Sequence, residues 1–200
     1  MTVTRPRLTA SERREGVLDA ACREFCRASY RGTTTTAEIA RAAGITEPIL
    51  YRHFPSKRDL YLACLDRTWG RLRESWDEAL AAEPDPGGWL PAIARTYLEA
   101  HRPFVLINLW IQSLNEAGDD PEIRRFLRRQ IRDVHDYLAD VIRRAQTAGG
   151  VAADRDPQAE AWIFLSGGLL VTIDQRLGGL LGDDLEAVRR ERRRWLTGAA

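Results

Sequence analysis

A tight turn between two short amphipathic segments constrains this chain more than any other feature. In TTTTAEIARAAGITEPILYRHFPSK, residues 33–57, Thr35 and Glu38 have the spacing of a capping box, in which each side chain satisfies an orphan backbone N–H at a helix start. Ile39, Ala40 and Ala43 then form an apolar stripe. Gly44 follows where the backbone must turn left-handed, a conformation glycine adopts at little steric cost. Thr46 is placed to cap a second helix, with Glu47 and Pro48 in its first turn, where a missing N–H does no harm. Ile45, Leu50 and Phe54 are expected to face inward, which leaves Glu47, Pro48, Tyr51, Arg52 and His53 on the outer surface. A helix-turn-helix needs this division, because one side packs on the partner helix while the other enters the major groove of DNA.

At these residues the chain resembles the N-terminal domain of the TetR family of bacterial transcriptional repressors. The resemblance covers about residues 12–65 and is carried by G-I-x-x-x-x-L-Y-x-H-F-x-S-K, from Gly44 to Lys57; elsewhere only length and helical character agree. It implies an operator-binding surface. Thr35 and Thr36 would hold phosphate where their helix opens, and Tyr51, His53 and Lys57 would touch further phosphates, contacts that set register rather than sequence preference. Base reading would fall to Glu47, Pro48, Ile49 and Arg52: Pro48 and Ile49 against thymine methyls, Glu47 accepting from a cytosine amino group. The other role open to Glu47 is a favourable charge in the first turn of its helix. The sequence departs from the family pattern at Glu24, where an apolar residue is usual, at Ser29, where glycine is usual, and in a TTTT loop one residue longer than typical.

Charge supports the same assignment. Across 200 residues, 30 Lys and Arg nearly balance 29 Asp and Glu, so no overall basic coat exists. The first 60 residues nevertheless carry 11 basic and 7 acidic side chains, against 19 and 22 in the rest. The head is the more basic part, as a phosphate-contacting module requires. Lys57 is the only lysine. Cys22, Cys26 and Cys64 are an odd number without metal-ligand spacing, so buried reduced thiols are expected, with no metal and no cofactor. The start MTVTRPRLTASERREG lacks the apolar core of a secretory signal, and the most apolar run, 161–173, is shorter than the roughly 20 residues a bilayer span needs. A cytoplasmic protein without a membrane partner is the expectation.

Taken in order, residues 1–10, with Arg5 and Arg7, are expected to form a disordered arm; such arms can reach phosphates or a minor groove, and a simple frayed terminus is the other reading. A first helix starts at Thr9 or Ser11, buries Val17, Leu18, Ala21, Cys22 and Phe25, and ends near Tyr30. Ser56 and Asp59 open a long helix that runs to about Ala82, where Pro84, Pro86, Gly87 and Gly88 break it. Further helices are predicted over 89–101, 103–117, 121–147, 157–177 and 183–196, and no stretch alternates long enough to make a strand. The fold class is therefore all-α, with about nine helices. Residues 1–55 form an N-terminal three-helix domain containing the helix-turn-helix. Residues 56–200 form a C-terminal bundle for ligand binding and dimerisation, and the helix from about Ser56 connects the two.

One such module makes few DNA contacts, and the dimers of this class read half-sites about 34–36 Å apart or a multiple of that. The expected interface is AWIFLSGGLLVTIDQRLG, where Gly167 and Gly168 let helices approach amid Trp162, Phe164, Leu169, Leu170 and Ile173; a buried bundle centre is the other reading of that segment. The family resemblance favours the interface, since the family pairs its subunits through the last two long helices. The arginine-rich run 189–195 is read as a solvated face. The resemblance also implies an apolar small molecule among the middle helices. The candidates are Trp69, Trp76, Tyr97, Phe104, Trp110, His135 and Trp162, with Asn108, Gln112 and Asn115 as polar groups, although aromatics at helical spacing also serve as plain core. The expected function is a homodimeric repressor released from a double-stranded, inverted-repeat operator by a small apolar or aromatic effector. A ligand-independent architectural DNA-binding protein is one alternative. A helical-bundle enzyme is another, but the three histidines, His53, His101 and His135, belong to no Glu-x-x-His pair, and no nucleophile elbow is present.

Overall fold

The computed structural model describes residues 9–32, 34–99 and 104–198, without the side chains of 10, 11, 98, 99 and 104–108. The expected arm at Arg5 and Arg7, Thr33 of the longer loop, and the side chains of Phe104 and Asn108 lie outside the described residues. Among the described residues there are nine α-helices and no strand. They are α1 (Ala10–Ala28), α2 (Thr36–Ala42), α3 (Glu47–His53), α4 (Lys57–Ala82), α5 (Trp89–Glu99), α6 (Phe104–Asp119), α7 (Pro121–Thr147), α8 (Pro157–Arg176) and α9 (Asp184–Thr197), with a 3-10 turn at Pro86–Gly88.

Local chemistry sets most of these boundaries. Thr9 and Glu12 close a capping box at the start of α1, Glu12 N–H donating to Thr9 Oγ1 at 3.1 Å and Thr9 N–H to Glu12 Oε2 at 2.7 Å. Thr35 and Glu38 do the same for α2, as their spacing predicts. Ser56 accepts from Asp59 N–H at 3.1 Å and donates to its carboxylate at 2.7 Å, at the mouth of α4. Asp156 caps α8 with Pro157 in its first turn. Thr46 differs from its expectation. It occupies the N-cap position of α3 in an extended conformation, but its side chain makes no capping bond.

The chain divides into two compact units, and the division does not follow the expected boundary at residue 55. The first comprises the described residues within Met1–Gly70 and Arg102–Arg128; the second those within Arg71–His101 and Arg129–Ala200. Both α4 and α7 are shared between units along their length.

In the first unit, one apolar core joins Val17, Leu18, Ala21 and Phe25 of α1 to Ile39 of α2, Leu50 of α3, Leu60 and Leu65 of α4, Leu109 of α6, and Ile123 and Leu127 of α7. Phe25 meets Tyr61 edge-on at 5.1 Å, and Tyr61 stacks on Tyr30 at 4.6 Å. Charge reinforces the packing of α6 on α1. Arg31 bridges Glu116 at 2.7 Å and Asp119 at 2.6 Å, while Arg58 bridges Asp120 at 3.0 Å and also pairs with Glu122.

In the second unit, Leu138, Val141, Ile142 and Ala145 on one face of α7 are buried, as are Trp76, Leu90, Ile93, Ala161 and Leu196. Trp76 lies beside Tyr137 at 5.7 Å, whose hydroxyl donates to Asp77 at 2.6 Å. Buried Glu160 of α8 pairs with Arg192 of α9 and accepts from Trp195 Nε1 at 2.8 Å. The arginine-rich run is thus solvated except at Arg192, which turns to Glu160. No helix among the described residues is long and apolar enough to cross a membrane.

Candidate nucleic-acid interface

The turn between α2 and α3 has the geometry that its glycine announces. Gly44 sits at φ +69°, Ile45 N–H returns to Ala40 C=O at 3.0 Å and Gly44 N–H to Arg41 C=O at 3.1 Å, so both orphan carbonyls are satisfied. Leu50 is fully buried, Phe54 nearly so, and Ile45 packs half-buried against the same core. Their burial turns Pro48, Tyr51 and Arg52 to solvent, with Glu47, Ile49 and His53 half-exposed. The predicted division of faces is present.

Across this surface runs a hydrogen-bond chain. Thr36 of α2 donates its hydroxyl hydrogen to Glu47 Oε1, and its oxygen lies 3.2 Å from the Tyr51 hydroxyl. Threonine has a single hydrogen to give, so Tyr51 must be the donor of the second bond. The Glu47 carboxylate therefore has a partner within the fold, and the chain ties both ends of α3 to the start of α2. The hydroxyl hydrogen that Thr36 would offer a phosphate is spent on Glu47. Thr35 is likewise engaged in its capping box.

Lys57 is also occupied. Its ammonium donates to Tyr30 C=O at 2.6 Å and lies 5.0 Å from the centre of the Tyr30 ring, just past the end of α1. Burial holds its pKa below the usual lysine value, against the pull of Glu116 and Glu38. Nearby, Ser29 takes the glycine-favouring geometry φ 59°, ψ 167°, with its Oγ accepting from Gly32 N–H at 3.0 Å. A Cβ on Gly32 would lie 1.7 Å from Ala28 O, so this corner admits no side chain there. Glu24 has found a polar use on α1, pairing with Arg27 at 2.8 Å.

One residue outside the predicted set borders the interface. Arg13 of α1 lines an open groove with Ile45, Thr46, Ile49, Arg52 and His53. Helical periodicity does not mark it; the available cue is an arginine in a first turn, where acids are favoured.

The expected effector residues are divided between the two units. Trp69, Trp110 and Gln112 belong to the first unit, where Gln112 donates to Cys26 C=O at 3.4 Å. Trp76, Tyr97, His135 and Trp162 belong to the second, in separate pairings: Tyr97 with Thr172 at 2.7 Å, and His135, whose Nε2 bonds Gln158 C=O at 3.0 Å, stacked on Trp162 at 4.3 Å. A cleft in the second unit, walled by Pro86, Leu90, Val151 and Leu196, holds only about 20 Å³.

Of the expected dimer residues, Trp162, Gly167 and Ile173 are exposed, while Phe164, Gly168 and Leu170 are half-buried. Gly168 lies 3.9 Å from Tyr97 of α5. Ile163, Leu169 and Leu177 extend the exposed apolar stripe on and just beyond α8.

Residues 17–64 match the family described as bacterial regulatory proteins, tetR family, and residues 86–166 match the C-terminal domain of the BetI-type transcriptional repressors. The transcriptional regulatory protein RaaS of Mycobacterium tuberculosis is 32% identical over 163 residues, 80% of this chain and 69% of that protein. A transcriptional regulator from Saccharomonospora viridis in complex with choline superposes with a TM-score of 0.75 at 23% identity, covering 91% of this chain and 94% of that one. AibR, in complex with isovaleryl coenzyme A and operator DNA, superposes at 0.61 with 26% identity over 80% of this chain and 85% of its own. With both parts of the sequence matched and α2–α3 built as a helix-turn-helix, the chain belongs to the TetR family and is a DNA-binding transcriptional regulator.

Proposed function

We propose that the protein is a homodimeric repressor that binds an inverted-repeat operator through α2 and α3 and leaves it when a small molecule occupies the second unit. The observation that carries this reading is the face of α3, anchored by Leu50 and Phe54 and presenting Pro48, Tyr51 and Arg52 outward. In this reading Pro48, Ile49 and Arg52 meet base edges, and Glu47 accepts from a cytosine amino group with its free oxygen. Tyr51 and His53 grip phosphates, joined by Thr35, Thr36 and Lys57 once DNA draws them from their present partners. The apolar stripe of α8 supports pairing of two subunits there, since a contiguous apolar face on a regulator marks a binding surface.

Release follows from linkage: an effector weakens operator binding by as much as it favours the DNA-incompetent state. AibR with an acyl coenzyme A and the Saccharomonospora viridis regulator with choline supply the first effectors to try. The decisive experiment is selection of bound duplexes from random DNA. An enriched inverted repeat with half-sites about one helical turn apart, or a multiple, is the expected result; its absence overturns the repressor reading. A ligand-independent architectural binder is the second reading. Footprinting separates the two, because a repressor protects a discrete site and an architectural binder coats DNA broadly.

A further inference from the structure

Folding accounts for most of the charge on the first unit. Arg14 covers the Phe54 ring at 5.1 Å, Arg27 pairs with Glu24, Arg31 and Arg58 hold the acids of the α6–α7 joint, and Arg67 bridges Glu15 and Asp19. Arg13, Thr46, Arg52 and His53 are among the polar side chains that this pairing leaves out, and they are gathered in one place. Their side chains make no hydrogen bond or ion pair with any described residue, and all four line one groove between α1 and α3. Nearby acids are engaged elsewhere, Glu12 in the α1 capping box and Glu47 with Thr36. Arg13 is costly where it stands, since a cation in the first turn of a helix opposes the helix dipole. Thr46 is equally unemployed by the fold, holding the N-cap position without capping.

Two guanidinium groups, a hydroxyl and an imidazole around one open groove that no carboxylate lines make a site for a phosphate. We propose that this groove binds a backbone phosphate of DNA, held by Arg13, so that α1 contributes directly to the interface. The proposal rests on the DNA-binding reading and adds a contact outside the helix-turn-helix. A phosphate contact from α1 fixes how the domain sits on the duplex and carries no base preference.

The test is fluorescence anisotropy across a salt series, using the full chain, its selected duplex and a random-sequence duplex. Arg13→Ala is expected to weaken both duplexes alike, roughly tenfold at low salt, and to flatten the slope of log K against log salt by about 1 for each subunit engaged. Arg13→Lys restores most of the slope. Arg23→Ala, which removes another exposed arginine of α1 that does not line the groove, leaves affinity and slope unchanged. Thermal unfolding of Arg13→Ala should occur at or slightly above the temperature of the parent chain, because no folded contact is lost and the unfavourable charge is removed. An unaltered slope in Arg13→Ala overturns the proposal while leaving the DNA-binding reading intact. Failure of the parent chain to bind either duplex overturns that reading itself. Inorganic phosphate at constant ionic strength is the last arm: displacement that needs Arg13, together with an unaltered DNA slope, assigns the groove to a free anion and rejects the DNA phosphate.

Discussion

Ser29 is the residue at which this sequence departs from its family at a measurable cost. Its φ of 59° with ψ 167° lies in a region that essentially only glycine occupies, at a cost of about 1–3 kcal/mol for other residues. The Oγ bond to Gly32 N–H recovers part of that. Ser29→Gly should stabilise the chain by roughly 0.5–1 kcal/mol after the greater unfolded-state entropy of glycine is subtracted. Urea unfolding reads the change, and a destabilised variant would contradict the strain assignment. At Glu47 the issue is charge. Glu47→Gln keeps an acceptor for Thr36 but removes one negative charge from the DNA-facing surface of each subunit. Affinity for random-sequence DNA should rise roughly threefold at low salt, with the gain disappearing at high salt.

At the scale of elements, proline, glycine and capping pairs punctuate the chain clearly enough that the observed helices were readable in advance. The Schellman turn at Gly44 and the inward set Leu50 and Phe54 follow from local pattern alone. What pattern could not supply were partners distant in sequence. The chain Tyr51–Thr36–Glu47 depends on how α2 and α3 cross, and the Arg31 and Arg58 bridges reach acids 60 to 90 positions away. The cysteines of α1 and α4 are a case where the expectation and the surroundings agree. Burial, with the neighbouring Cys22 thiol, pushes Cys26 up to about 12, and burial also raises Cys64 well above its ordinary value. Raised folded-state pKa values keep these thiols neutral and unreactive. Their contribution to stability is complete below about pH 8.5 and is lost as pH rises through the folded value. Urea midpoints should therefore fall above pH 8.5, less steeply in Cys26→Ala; a flat profile in the parent chain would count against buried thiols. Between α4 and α7, Asp120 has a lowered pKa: its own burial opposes the shift, and the N–H groups of Ile123 and Glu122 together with Arg58 outweigh it. Asp120→Asn is expected to cost about 1 kcal/mol at pH 7, and progressively less as pH falls below the ordinary carboxylate range and through the lowered folded value.

For the whole molecule, the proposed regulation depends on pairing. If α8 is where subunits meet, Ile173→Glu places a charge in the middle of its apolar stripe, and sedimentation should find monomers where the parent chain forms dimers. Operator affinity should fall at least tenfold, since half-sites would then be bound singly. A dimeric Ile173→Glu protein would move the interface elsewhere. The division into units has a separate consequence for anyone building chimeric regulators. The DNA-reading part is closed by Leu60, Tyr61 and Leu65 of α4, by Leu109 of α6, and by Ile123 and Leu127 of α7, so its core is drawn from two separate stretches of chain. A graft spliced after the recognition helix would leave those positions to a foreign protein. A transplantable cassette would have to carry residues 104–128 with it, because the two units are interleaved along the chain: 71–101 of the second interrupts the first, and the rest of the second follows it.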